Sequence, residues 1–250
     1  MNNNLIQYIY GIADNSLILG QRLGELCGHG PSLETDIAMT NISLDLFGQV
    51  RSYFQYAAKL QGENVTEDTI AFLRKEREYK NVLLVEQPNT DFANSITRQF
   101  LFDVYHLLLL EELQNSKDEM LSAIAKKSIK EVNYHIRFSS DWIKRLGDGT
   151  EESHDRIQTA INDLWEFTDE FFHTTDADKI MISEGIGVDV SLLKEPFNKK
   201  VNEILEEATI EIPKLKYFQK GGKQGIHSEH MGYLLAQMQY MQLAYPNMNW

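Results

Sequence analysis

The stretch Phe100-Leu101-Phe102-Asp103-Val104-Tyr105-His106-Leu107-Leu108-Leu109-Leu110 decides the fold. It does not alternate apolar and polar residues as a half-buried strand would. It also leaves no polar face for a helix lying on a surface. With its flanks it forms one apolar segment from Phe92 to Leu113, preceded by the turn residues Pro88-Asn89-Thr90-Asp91. A helix that is apolar on every side is buried on every side. This segment is read as the central helix of an all-α protein, around which other helices must pack.

The neighbouring segments carry the same helical period. Leu5, Tyr8, Ile12, Leu19 and Leu23 place a first helix over 5–27, ended by Gly28-His29-Gly30-Pro31. A second runs from Glu34 to Leu60, with Ile37, Asn41, Leu44, Phe47, Val50 and Phe54 on one stripe and Gln61-Gly62 at its end. Thr66-Glu67-Asp68 caps a third element leading to Phe72 and Tyr79. Beyond the apolar helix, Ser116-Lys117-Asp118-Glu119 has capping-box spacing and opens a helix to Leu146, stopped by Gly147-Asp148-Gly149. Further helices are read over 151–173, from Pro196 to Ala208 and from His227 to Leu243, with Gly185-Ile186-Gly187 breaking a short acidic segment. All five prolines, at 31, 88, 196, 213 and 246, fall where a helix can start or stop. No linker or change in composition divides the chain. The reading is a single domain over 1–250, in which the first, second, fourth and fifth helices form an antiparallel bundle and the later helices pack on its flank.

Composition excludes several classes. The net charge of −13 repels phosphate backbones and argues against a general nucleic-acid binder. One cysteine, Cys27, makes no internal disulfide, which suits a reducing compartment. The opening Met1-Asn2-Asn3-Asn4 has no basic segment followed by an apolar one, and no stretch approaches the roughly 20 apolar residues of a membrane span. The expected location is cytoplasmic. Lys214, Lys216, Lys220 and Lys223 form a local basic cluster, either a solvated loop or a contact for an acidic partner or phosphorylated ligand.

A bundle of long helices raises the question of a carboxylate-bridged di-metal site. Such a site needs a Glu from each of two helices and a Glu-x-x-His from each of the other two. Residues i and i+3 share a helix face, so both side chains reach one metal. The second helix has no histidine, and its only glutamate stands at the very start. The fifth has His135, but Val132 occupies the position three residues before it. Glu131, four before, has the wrong spacing. Both motifs are broken.

Other pairs are weaker. Asp103 and His106 on the apolar helix must be hydrogen-bonded or paired if buried. They read as core groups that satisfy each other or neighbouring groups, or as a mononuclear site made from Asp103 and a histidine. Glu151 with His154 reads as an exposed first turn, and Glu170 with His173 as an exposed last turn. His227-Ser228-Glu229-His230 has two histidines at i and i+3 but no further ligand nearby, and reads as the polar first turn of the last helix. Gly221-Gly222-Lys223-Gln224-Gly225 lacks the spacing and the preceding strand of a phosphate loop. No nucleophile motif is present.

Several segments resemble a known family. Ser16-Leu17-Ile18-Leu19-Gly20-Gln21-Arg22-Leu23-Gly24-Glu25, Asn41-Ile42-Ser43-Leu44-Asp45-Leu46-Phe47-Gly48-Gln49, Leu84-Val85-Glu86-Gln87-Pro88-Asn89 and Lys130-Glu131-Val132-Asn133-Tyr134-His135 resemble the PaaC family, one of the component chains of bacterial phenylacetyl-CoA epoxidase. The tail from Gly221 through His227-Ser228-Glu229-His230-Met231-Gly232 to Tyr240 is the most specific piece. The resemblance covers nearly the whole chain, in order. It implies a ferritin-like four-helix bundle with additional C-terminal helices. It implies a non-catalytic member of a complex that inserts one oxygen atom into the ring of phenylacetyl-CoA. The di-iron centre and the CoA thioester belong to a paralogous catalytic chain, the A component, and other chains complete the assembly.

Laid onto this chain, the paralogue's metal positions fall at or near Gln21, Leu46, Gln49, Asp103, Val132 and His135. Four of these carry no charged ligand. Neutral side chains fill the volume, so the core needs no cation and leaves no unpaired carboxylate. The reading is a chain without catalytic residues, metal or other cofactor, which supports the di-iron partner and pairs with itself when isolated. Tyr53, Phe54, Tyr56, Met231, Tyr233, Met238, Tyr240 and Met241 are candidate contacts for the partner. The Lys214–Lys223 cluster is a candidate contact to the partner or to its CoA. The alternative is a self-sufficient metal-dependent oxidoreductase using Asp103, His106 and His135.

Overall fold

The computed structural model describes residues 2–246 and 248. Among them every regular element is an α-helix or a 3-10 turn, so the all-α class holds. The chain forms two compact units. One comprises the residues up to Gln87 together with those from Gly221 onward, and the other Pro88–Lys220. Each contains one antiparallel pair of long helices, the elements of a ferritin-like pattern.

In the first unit α1 (Asn2–Gly24) pairs with α2 (Leu33–Gln61). The pairing runs antiparallel. Ser43 donates to the Gly20 carbonyl at 2.7 Å, and Gln61 donates to the Tyr10 hydroxyl at 2.8 Å. The connection is tied by Asp36, which accepts from the Gly28 and Gly30 N–H groups at 2.8 Å each. Ser32 caps α2 by accepting from Thr35. A short α3 (Glu67–Phe72) follows, then 3-10 turns at Glu76–Glu78 and Leu83–Glu86.

The buried stripe of α2 matches the expected one at Val50 and Phe54 and departs from it at Ile37, Asn41 and Leu44, which are exposed. Met39, Ile42, Leu46, Val50, Tyr53, Phe54 and Ala57 face inward. Ile37 is 52% and Leu44 61% exposed, and with Leu33 they form an outward apolar row. Simple 3.6-residue spacing fits both stripes, and α2 carries enough apolar residues for two.

In the second unit the apolar segment is α4 (Phe92–Leu113), with the bounds and the burial its composition predicts. Asp91 caps it by accepting from the Asn94 N–H at 2.7 Å. It runs antiparallel to α5 (Glu119–Gly147), as Phe92 against Trp142 and the Ser122 hydroxyl on the Gln114 carbonyl show. The cap of α5 is Asp118, whose carboxylate accepts from Met120 and Leu121. Ser116 instead donates to the Ile186 carbonyl at 2.7 Å.

The helix expected over 151–173 is shorter. α6 (Glu151–Leu164) ends in 3-10 turns at Trp165–Phe167 and Asp169–Phe172. These turns swing Phe171 onto Tyr105 of α4, with ring centroids 4.3 Å apart. α7 (Asp176–Ser183) and α8 (Lys194–Glu207) follow, and α6 and α8 cover α4 and α5. The last helix, α9 (Glu229–Ala244), belongs to the first unit and packs on α1, α3 and the two 3-10 turns after α3.

Candidate functional site

The residues onto which the resemblance lays di-metal ligands lie as follows. In the first unit, Gln21 on α1 is half-buried, and Leu46 and Gln49 on α2 are buried. In the second, Val132 is fully buried one turn before His135 on α5. Among the described residues no group of three or more His, Cys, Asp and Glu side chains converges to hold a metal ion. These donors do not fit a carboxylate-bridged pair of metals, which needs several anionic oxygens around hard cations.

Asp103 is a fully buried carboxyl. One oxygen accepts from the Gln99 amide at 2.6 Å and the other from the Ser139 hydroxyl at 2.8 Å. Burial pushes its pKa up to about 7, against the opposing influence of His135, Ser139 and Gln99. Its sequence neighbour His106 does not pair with it. Neither ring nitrogen of His106 meets a polar group among the described residues, and the ring lies 4.9 Å from that of Phe102. Burial first, and then His135, lowers the His106 pKa to about 3. His106 is therefore a neutral ring in an aromatic core. Of the expectation that Asp103 and His106 satisfy each other or neighbouring groups, the second form holds for Asp103, through Gln99 and Ser139, and neither form holds for His106.

Two further acid–histidine pairs separate in the same way. Glu151 is exposed and His154 turns its Nδ1 to the Gly147 carbonyl at 2.8 Å. Glu170, expected on an exposed last turn, is buried in the 3-10 turn Asp169–Phe172. His173 pairs instead with Asp169 at 3.0 Å, and Lys194 meets the other oxygen of that carboxylate at 2.5 Å.

The densest polar centre of the first unit joins two of the sequence segments that carry the family resemblance. Glu86 is fully buried at the end of its 3-10 turn. One carboxylate oxygen accepts from the Ser228 N–H at 2.7 Å, and the other lies 3.1 Å from His227 Nδ1 and 3.4 Å from the Asn81 amide. His227 Nε2 lies 3.1 Å from the Tyr79 carbonyl. The Glu86 carbonyl accepts twice from Arg22 on α1, at 2.8 and 3.1 Å. Local sequence puts His227 on a polar helical turn. Its side chain is instead wholly enclosed, because its partners lie more than 140 residues away in sequence.

The glycines before His227 have a packing role. A Cβ on Gly222 would stand 2.2 Å from the Asn81 carbonyl oxygen. One on Gly225, where φ is +79°, would stand 2.1 Å from that of Arg77. Two main chains press together there, which only residues without a side chain permit. This contact accounts for the Gly-rich segment without a phosphate.

Nearby, Asp14 of α1 is buried and paired with Arg74 at 2.9 and 2.5 Å. The Arg74 guanidinium lies 4.2 Å from the Tyr79 ring centroid and 4.5 Å from that of Tyr10.

Lys214, Lys216 and Lys220 are exposed and Lys223 is half-buried. Of the candidate partner contacts, Tyr53, Phe54, Met231 and Met238 are core, which removes them from any outer surface. Tyr56 is half-buried. Tyr233, Tyr240 and Met241 stand out from α9 at 75%, 61% and 41% exposure. No helix among the described residues is long and apolar enough to cross a membrane.

Comparison with known proteins agrees with these sequence segments. The model of the family described as phenylacetic acid catabolic protein matches residues 1–250. A relative from Escherichia coli (strain K12), the C component of 1,2-phenylacetyl-CoA epoxidase, is 48% identical over 248 residues, covering 99% of this chain and 100% of its own length. The chain belongs to the phenylacetic acid catabolic protein family.

Proposed function

We propose that this chain is a non-catalytic member of a phenylacetyl-CoA 1,2-epoxidase complex, which pairs with the di-iron catalytic chain and supports it. The reading rests on the neutral residues Gln21, Leu46, Gln49 and Val132 at the positions onto which the resemblance lays the di-iron ligands, in a chain 48% identical over 99% of its length to the C component of such an epoxidase. A bundle that kept its helices but not its charged ligands retains the surface and loses the chemistry. The di-iron cofactor then resides in the partner, and this chain holds neither metal nor catalytic groups. Its location is the cytoplasm, where the CoA thioester and the reducing electrons are found. The exposed side chains Tyr233, Tyr240 and Met241 on α9, and Leu33, Ile37 and Leu44 on α2, are the apolar surface offered to other chains. Lys214, Lys216, Lys220 and Lys223 supply a positive contact on an otherwise acidic protein, suited to the partner or to the phosphates of its bound CoA.

Co-expression with the catalytic chain tests this. A stable complex in size-exclusion chromatography is expected, with oxygenase activity that requires both chains. Clean elution of the two as separate species overturns it. The alternative of a self-sufficient metalloenzyme built on Asp103, His106 and His135 has no converging set of three or more ligands among the described residues, and stoichiometric iron or manganese in the isolated chain would revive it.

A further inference from the structure

The enclosed His227 faces acceptors on both sides. Glu86 Oε2 lies 3.1 Å from Nδ1 and the Tyr79 carbonyl oxygen 3.1 Å from Nε2. A neutral imidazole carries one N–H, so it satisfies one of these acceptors and leaves a lone pair against the other. Two donors require the imidazolium. Glu86 is the carboxylate facing it, and its oxygens also accept from the Ser228 N–H at 2.7 Å and from Asn81 at 3.4 Å, at the start of α9. The surrounding charges point the same way. Glu76, on the 3-10 turn packed against α9, adds to the negative field at His227. Arg22 from α1 is bound to the Glu86 main-chain carbonyl and is engaged by Glu25 at 2.9 Å. Glu229 and His230 flank the pair in the first turn of α9.

We propose that the Glu86–His227 ion pair is a charge-operated clasp that holds the C-terminal segment, from Gly221 through α9, against the Tyr79–Glu86 stretch, and lets it go when His227 loses its proton. The glycine contacts at Asn81 and Arg77 bring the two segments within reach, and the ion pair closes them. Deprotonation would leave Glu86 as a buried charge with no cation of its own, which is the expensive state for a buried pair. Release frees the helix that carries Tyr233 and Tyr240, so the clasp sets whether that outer surface is held in place. The inference rests on the geometry of the tail and is independent of whether the chain is a structural member of a complex.

The direction in pH follows from the hydrogen bonds and charges that overcome burial and raise the His227 pKa above its ordinary value of about 6.5. Stability from the clasp is fully present below the ordinary histidine value. It is lost as pH rises through the raised, folded-state value.

Ring ¹⁵N spectra of histidine-labelled full-length protein test the charge directly, with the His227 signals assigned by their loss in H227Q. Two protonated nitrogens on His227 at neutral pH are expected. A neutral tautomer there overturns the proposal. Hydrogen exchange of the peptides covering 229–244, corrected for intrinsic rates, tests the clasp. In the wild type, protection should fall at least tenfold across the His227 titration. In E86Q and H227Q the helix should be unprotected to a similar degree at neutral pH, with no step. Protection of α9 that stays level through the titration in the wild type overturns it, and that measurement needs no variant to fold.

Discussion

The Ser139 hydroxyl on α5 donates a 2.8 Å hydrogen bond to Asp103 on α4. With Gln99 on the other oxygen at 2.6 Å, the buried carboxyl is held by two neutral groups. Both bonds favour the ionised form, yet burial outweighs them and pushes the pKa up to about 7.

Asp103→Asn should therefore change the pH dependence of stability more than stability itself. A carboxyl whose folded pKa lies above its unfolded value is favourable while protonated. Its contribution is lost as pH climbs from about 4 toward 7. The variant should lose that downward slope, and at neutral pH it should match or exceed the wild type by on the order of 1–2 kcal/mol. Urea unfolding of both proteins at several pH values measures it. A wild type whose stability rises between pH 5 and about pH 7 relative to D103N would contradict the sign.

Metal analysis of the isolated chain should give well below one equivalent of iron or manganese, because Val132 and the other neutral residues at the ligand positions bring no anionic oxygen. Val132→Glu restores one carboxylate of a motif into a fully buried site. It should cost about 3 kcal/mol or more without metal uptake, since a single uncompensated buried charge is unfavourable. Elemental analysis and denaturation of the same preparation read both.

Breaking the Asp14–Arg74 pair should be the more damaging single change. Arg74 is nearly buried among Tyr10, Phe54 and Tyr79, and Asp14 also accepts from the Lys80 N–H at 2.8 Å. Asp14→Ala leaves the guanidinium buried without its anion, at a cost of about 3–5 kcal/mol. Chemical denaturation should show a lower midpoint, with loss of the ordered stretch between α3 and the Leu83–Glu86 turn.

Gly222→Ala should loosen the C-terminal segment. Its Cβ would fall on the Asn81 carbonyl, and neither main chain can yield by rotating a side chain. The expected cost is about 2 kcal/mol, localised to the tail. Limited proteolysis should cut ahead of α9 in the variant at protease levels the wild type withstands.

Tyr233→Ala and Tyr240→Ala should leave stability within about 0.5 kcal/mol, because both side chains point away from the unit. If α9 is part of the partner surface, the double variant folds normally and elutes apart from the catalytic chain in size-exclusion chromatography. Unchanged complex formation would move the interface to α2 or elsewhere.

How much of this was legible in the residues varies by feature. The apolar run Phe100–Leu110 specified a buried helix, because an all-round apolar surface has only one stable environment, and α4 has the predicted bounds. Val132 before His135 showed a broken motif, because ligand chemistry depends on side-chain type and local spacing alone. The stripe of α2 was right at Val50 and Phe54 but misplaced at Ile37, Asn41 and Leu44, because two rows share the same period and only packing chooses which one is covered. The 3-10 ending of α6 depends on the pull of Phe171 toward Tyr105, a contact absent from local sequence.

Composition and local spacing by themselves determined an all-α chain without a Glu-x-x-His on its second or fifth helix, and order along the chain carried the family resemblance. Tertiary structure alone decided what its buried polar groups do. His106 became a neutral ring in an aromatic core, Asp103 turned to Gln99 and Ser139, and His227 met Glu86 across more than 140 residues. The physical reason is common to all three. Helical period follows from neighbours a turn away, whereas the charge and partners of a buried group are set by whatever the fold brings against it.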